Sequence, residues 1–237
     1  MSNSTFAFKQ FTINQDKCAM KVGTDAVLLG AWVDASQSTA ILDIGTGTGV
    51  IAIMLAQKST AKIDAIDIDQ DACEQARENV LSCPWKDRIH IHPIAFQFFS
   101  QEQKTKYDLI VSNPPYFVNS SKTPEHSRTF ARHTDMLEFD ELLDGVLSLL
   151  SPDGKFYVIL PSKEGEFFRD LAQLRGLFLN KLMRVRTRLD KQEKRYIMRF
   201  ERARKHFSEE SLTIENPERH SYTEEYKNLT KDYYLAF

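Results

Sequence analysis

The sequence predicts an α/β protein built on a mostly parallel seven-stranded sheet that ends in a C-terminal antiparallel hairpin. Three observations carry this. Short runs of β-branched and aliphatic residues alternate with helical patterns between residues 40 and 175. A glycine-rich turn follows the first of those runs, and two strand-like stretches, 179–187 and 194–202, succeed one another across a short polar link. Alternating strands and helices imply parallel pairing with helices on both faces, whereas a short link joins only antiparallel neighbours.

Taken in order, residues 40–43 read as a buried strand, 50–57 as a helix, 62–67 as a second strand and 70–81 as a helix with one charged face. Residues 88–92 alternate as a third strand, and 107–112 form a fourth apolar run. Leucine periodicity marks a helix over 139–150, residues 151–154 a turn, and 155–160 a fifth strand rich in β-branched and aromatic residues. Residues 163–175 are helical in pattern, and the hairpin supplies strands six and seven. With no repeat or low-complexity linker, residues 1–237 are expected to form one domain, in which 1–39 precede the first strand as an N-terminal extension.

Composition narrows the setting. The net charge of −2 favours neither a nucleic-acid nor a membrane partner in bulk, but residues 181–205 hold eleven Lys/Arg against three Asp/Glu. That local +8 leaves −10 on the rest and points to an anionic partner. Three irregularly spaced cysteines, Cys18, Cys73 and Cys83, fit neither a disulfide framework nor a metal pattern. No signal-peptide stretch or membrane-length apolar run is present, so a cytoplasmic protein is expected.

Two motifs carry chemistry. Asn113-Pro114-Pro115-Tyr116 follows the fourth strand directly. Proline fixes its own φ and disfavours helix in the residue before it, so Asn113 and Pro114 are held extended. The Asn113 amide oxygen and the Pro114 carbonyl then form two neighbouring acceptors of fixed direction, with the ring of Tyr116 close by. This suits a planar group bearing an NH2, such as adenine; the plainer alternative is a strand-ending turn with a surface tyrosine. The second motif, Asp43-Ile44-Gly45-Thr46-Gly47-Thr48-Gly49, joins the first strand to a helix. Its GxGxG spacing differs from the GxGxxG of NAD enzymes, and no phosphate-loop motif occurs in the chain. With Asp43 ahead of it, the turn suits the amino-acid end of S-adenosyl-L-methionine (AdoMet). Asp67, at the end of the second strand, stands where a carboxylate accepts ribose hydroxyls. Asp69 or Asp71 serves as a helix cap in this reading, and Asp64 faces solvent.

These residues resemble class I AdoMet-dependent methyltransferases with a Rossmann-like fold, and more closely the bacterial tRNA1(Val) (adenine-37-N6)-methyltransferase family. The resemblance runs through Phe8 to Phe11, Cys18 to Asp25, Leu28 to Trp32, Asp43 to Gly49, Ser112 to Phe117, Ala131 to His133 and Tyr222 to Leu235. It implies methyl transfer from AdoMet, leaving S-adenosylhomocysteine, to the N6 amine of adenosine-37 in a tRNA anticodon loop, with no metal. It further implies that Lys21, Thr24 and Asp25 close over the methionine end of AdoMet, that Phe96 packs on its adenine, and that Gly45, Gly47 and Gly49 cradle it. Where many relatives carry an Asp after the third strand, this chain has Ala95. Asn113, Pro114 and Tyr116 would be catalytic, with Pro115 and Phe117 lining the substrate pocket. Arg128, Arg132 and His133 are candidates for RNA phosphate, as are Arg184, Arg186 and Arg188 on the hairpin. Thr24 also reads as a helix cap. The expected partner is tRNA, for a monomer with no obligate protein partner. Three rivals stay open: an N-methyltransferase for another amine (rRNA, DNA or protein glutamine), a non-catalytic AdoMet-binding RNA module, and an NAD-dependent oxidoreductase.

Overall fold

The computed structural model describes residues 4–114, 137–218 and 221–237. The chain opens with a small antiparallel pair, β1 (Thr5–Ala7) and β2 (Thr12–Asn14), followed by α1 (Thr24–Trp32). Then come β3 (Ala40–Ile44), α2 (Val50–Gln57), β4 (Lys62–Asp67), α3 (Gln70–Leu81), β5 (Ile89–Pro93), α4 (Phe96–Glu102) and β6 (Tyr107–Ser112). The second half holds α5 (Phe139–Leu149), β7 (Leu150–Pro161), α6 (Ser162–Leu174), β8 (Phe178–Arg188), β9 (Arg195–Glu201), β10 (Ser208–Glu215) and α7 (Glu224–Thr230).

The large sheet runs β10-β8-β9-β7-β6-β3-β4-β5. From β5 to β7 all pairings are parallel, and β9 is antiparallel to both β7 and β8. All seven expected strands are present, and the hairpin enters the sheet second strand first. Period-two alternation divides the strand side chains between two cores. Ile41, Leu109 and Ile159 pack on one face with residues of α1 and α2, while Leu42, Ile110 and Val158 pack on the other with residues of α4, α5 and α6. The two faces are thus both covered, as parallel strands require.

Several expectations need correction. An eighth strand, β10, extends the sheet parallel to β8. Its sequence is acidic and its apolar residues are only Leu212 and Ile214, too few for a periodic signal; Leu212 enters the core, while Glu210 pairs with Lys181 at 2.7 Å and Glu209 with Arg184. Residues 151–154 do not reverse the chain. They form a bulge inside β7, where Leu150 to Lys155 lies opposite Tyr107 to Leu109 of β6. Thr24 is the first residue of α1 rather than its cap; extended Gly23 takes that position, with no side-chain cap. Asp64 does not face solvent: one oxygen lies 2.7 Å from His92 Nε2 and the other accepts from the Tyr107 hydroxyl at 2.7 Å. Asp69 does cap α3, accepting from the N–H groups of Asp71 and Ala72.

The two ends of the chain meet. Phe8 bridges to Tyr234, Lys9 N–H donates to Tyr233 O at 2.8 Å, and the Lys9 ammonium donates to Lys231 O and Phe237 O. The N-terminal strand pair and the segment around α7 therefore form one flank of the molecule, packed against α1 and β10.

Candidate active site

Strand β3 is the point where the parallel order reverses, with β4 on one side and β6 on the other. Ligands of open α/β sheets bind in the crevice beyond the strand C-termini at such a point. A cavity of about 620 Å³ lies there, bounded by the turn after β3, the ends of β4 and β6, the start of α4 and the segment leading into α1.

The glycine turn forms its floor. Gly45 and Gly47 have φ of 72° and 54°, in the left-handed region where a Cβ is strained. Neither would meet another atom within 4 Å if it bore a Cβ, so conformation rather than crowding calls for glycine at both. The N–H groups of Gly45 and Thr46 both donate to Ile66 O at 2.9 Å, and Gly47 N–H donates to Asp67 Oδ2 at 2.8 Å. Asp67 Oδ1 accepts from Asp69 N–H at 3.0 Å. Its carboxylate is thereby fixed at the end of β4 on the cavity wall.

Asp43 and Gly49 stand behind this wall rather than on it. Gly49, left-handed like the other two, is the N-cap of α2, and its Cα faces Ala76 of α3. Asp43 is fully enclosed; Oδ2 accepts from the Thr46 hydroxyl at 2.7 Å, while Oδ1 has no partner among the described residues. Burial pushes its carboxyl up to about 7, against the pull of the Thr46 hydroxyl.

At the end of β6, the buried Ser112 hydroxyl donates to Ile44 O at 3.0 Å and ties Asn113 to the turn. Asn113 and Pro114 both border the cavity. The Asn113 Oδ1 is enclosed and accepts no hydrogen bond from the described residues. An enclosed acceptor without a donor costs on the order of 1–3 kcal/mol, so a ligand N–H there would relieve it. Pro115, Tyr116, Phe117, Arg128, Arg132 and His133 lie outside the described residues.

Phe96 opens α4 and closes the side of the cavity beyond β5, its ring wedged against Gly145 of α5. Ala95 precedes it as the N-cap and places no polar side chain on the wall. Lys21, Thr24 and Asp25 form the opposite rim. Asp25 Oδ2 accepts from Arg195 Nε at 2.7 Å, which links the rim to the hairpin.

The hairpin arginines expected to meet RNA are elsewhere. Arg184, Arg186 and Arg188 alternate on one face of β8, and none borders the cavity. Arg184 bonds Glu193 at 3.0 Å and Glu209, Arg186 Nη2 lies 3.7 Å from Glu193, and Arg188 Nε lies 3.3 Å from Asp190. The +8 read along residues 181–205 is therefore partly offset across the sheet by β10.

Sequence reading missed a set of buried polar residues that hold the rim in place. Asn79 of α3 accepts from Asn14 N–H at 2.8 Å and donates to Asn14 O and Thr48 O, each at 2.9 Å. Gln75 accepts from Lys17 N–H at 3.0 Å, and Gln15 from Val22 N–H at 2.9 Å. Together they fasten the N-terminal segment to the glycine turn. Gln75 and Asn79 stand one turn apart on α3, which the sequence showed only as a helix with one charged face.

The cavity thus offers a floor built on two left-handed glycines, a fixed carboxylate at a strand end, an aromatic wall and, at Asn113 Oδ1, an enclosed acceptor with no donor among the described residues. These fit a nucleoside with an amino-acid arm together with a planar amine. Residues 18–166 match the Methyltransferase small domain family. A tRNA1(Val) (adenine(37)-N6)-methyltransferase of Bacteroides fragilis is 47% identical over 236 residues, covering 99% of both chains. Proteins of the same name from Phocaeicola vulgatus and Trichodesmium erythraeum are 48% and 45% identical, covering 99% and 100% of each chain. Among solved structures, a predicted O-methyltransferase from Agrobacterium tumefaciens superposes with a TM-score of 0.70 at 16% identity, over 88% of this chain and 96% of that one. A ribosomal protein L11 methylase from Lactobacillus delbrueckii gives 0.54 at 18% identity, over 76% and 78%. Those two likenesses concern the fold alone, which is that of Rossmann-like methyltransferases. The sequence relatives go further: this chain belongs to the tRNA1(Val) (adenine(37)-N6)-methyltransferase family.

Proposed function

We infer that the protein transfers a methyl group from AdoMet to the exocyclic N6 amine of adenosine-37 in the anticodon loop of tRNA1(Val). The observation that carries this reading is the enclosed Asn113 Oδ1, which has no donor among the described residues, on the wall of the cavity that Asp67 and the glycine turn also bound. AdoMet supplies an electrophilic sulfonium methyl. Asp67 takes its ribose hydroxyls, Phe96 packs on its adenine, and Lys21, Thr24 and Asp25 cover its amino-acid end. Asp43 acts from behind, by fixing Thr46 in the turn. Residues 1–39 serve as the cover within a single domain.

The adenine amine is a poor nucleophile because its lone pair is delocalised into the ring. If Asn113 Oδ1 and the Pro114 carbonyl each accept one of its N–H groups, the nitrogen pyramidalises and its lone pair is directed at the methyl group. Positive charge developing on nitrogen then meets two fixed negative dipoles, which is electrostatic preorganisation combined with orientation. The proton leaves after transfer, when it has become acidic, so no separate base is assigned. Tyr116 stacks on the extruded base with Pro115 and Phe117 around it, and Arg132, His133 and the hairpin arginines meet the RNA backbone. The reading includes no metal and no obligate protein partner, and a cytoplasmic monomer accounts for it.

The test is methyl transfer from labelled AdoMet to total tRNA of a matched strain, with the modified nucleoside mapped. N6-methyladenosine at position 37 is the expected product. Label in DNA or protein with none in tRNA would overturn the substrate assignment.

A further inference from the structure

A second cavity, of about 580 Å³, lies where the two chain ends meet the hairpin, and the reaction described above makes no use of it. One side is aromatic: Tyr222, Tyr226 and Phe237 line it, with Tyr222 and Tyr226 ring centroids 5.3 Å apart at 30° and Tyr222 and Phe237 at 5.3 Å and 72°. The other side carries Lys194 and Arg195. Thr24, Asp25 and Arg195 border both cavities, so the Asp25–Arg195 ion pair is a shared wall.

The charges here differ from those elsewhere on the hairpin. Arg184 and Arg186 share Glu193, and Arg195 is paired with Asp25. Lys194 is exposed and has no carboxylate within ion-pair distance among the described residues. Glu215 also lines the cavity but makes no ion pair with Lys194. An aromatic platform with an exposed ammonium at its mouth suits a flat base with a phosphate attached, the combination by which proteins hold unpaired nucleotides. The volume lies in the range of small-ligand sites.

We propose that this cavity seats a second base of the RNA substrate, a nucleotide flanking the methylated one, stacked on Tyr222 with its phosphate at Lys194. The inference rests on the RNA methyltransferase reading and adds to it a subsite that receives no methyl group. Two bases of one unstacked loop would then be held on either side of the Asp25–Arg195 wall, which fixes the register of the loop over the donor.

The experiment uses the full-length protein and tRNA, with Tyr222→Ala, Tyr222→Phe and Lys194→Glu. Tyr222→Ala is expected to raise KM for tRNA about tenfold, the usual scale for losing one base stack. Tyr222→Phe keeps the ring and should stay near wild type. Lys194→Glu, at an exposed position, should raise KM and flatten its salt dependence, which keeps the test alive if Tyr222→Ala fails to fold. The turnover number and the AdoMet dissociation constant should stay unchanged in all three. In parallel, an anticodon stem–loop carrying 4-thiouridine beside the target adenosine should cross-link to the peptide containing Tyr222. Unchanged KM in both Tyr222→Ala and Lys194→Glu, loss of AdoMet affinity in step with KM, or cross-links confined to other peptides would each overturn the proposal. Wild-type protein that leaves tRNA unmethylated would instead overturn the functional reading on which it rests.

Discussion

Replacing Asp43 by asparagine should change how stability depends on pH more than it changes stability itself. The carboxyl titrates at about 7 in the folded chain against a usual value of 3.8, because no part of it reaches solvent. A folded value above the unfolded one means that the folded state binds the proton more tightly. Stability is then full at low pH and falls as pH rises through the folded value. From about pH 4 to about pH 7 the loss runs at about 1.4 kcal/mol per pH unit and then levels off, giving about 4 kcal/mol by about pH 8. The substituted amide would not ionise, and its oxygen would still accept from the Thr46 hydroxyl, so the variant should lack this slope. Urea denaturation of both proteins across that range isolates the effect, because every other titrating group is common to them. The wild type should weaken relative to Asp43→Asn by about 4 kcal/mol from the acid to the alkaline end. Parallel curves, or a wild type that gains on the variant as pH rises, would refute the account of this carboxyl.

Two further outcomes follow from burial and crowding. Lys58 donates to Ala31 O at 3.0 Å, and burial lowers its ammonium to about 8 from 10.5. Its folded value lies below the unfolded one, so stability should rise with pH between those values, and Lys58→Met should be more stable at neutral pH by about 2 kcal/mol in chemical denaturation; a less stable variant would contradict this. A Cβ on Gly145 would lie 2.6 Å from Phe96 Cζ, inside van der Waals contact. Gly145→Ala should therefore cost about 1–3 kcal/mol and weaken AdoMet binding several-fold in calorimetry by displacing the Phe96 wall; undiminished binding would remove Phe96 from the site.

Much of the scaffold was legible in the sequence because its signals are local. The bounds of α2, β4, α3 and β6 follow from apolar periodicity, and the floor of the cavity from glycines that must adopt positive φ. The features that sequence hid are long-range. Arg195 and Asp25 are separated by 170 positions and Lys9 and Lys231 by 222, so neither contact leaves a trace in a window of residues. β10 carries only Leu212 and Ile214 toward the core and pairs its acidic residues with a basic neighbour, and for the same reason the charge of residues 181–205 read too positive. Asn79 and Gln75 lie on a helix whose sequence showed only a charged face, yet they are buried and clamp the N-terminal segment. The fixed direction of the Asn113 amide was readable because two prolines constrain it locally; that its oxygen is enclosed, with no donor among the described residues, was not.

The central claim is that Asn113 orients and polarises the target amine. Single-turnover methyl transfer by Asn113→Ala, with AdoMet affinity measured on the same preparation, tests it most directly. A fall in rate of about a hundredfold or more, the scale on which one preorganised polar contact acts, with AdoMet binding retained, is the predicted result. A rate within a few-fold of wild type would contradict it.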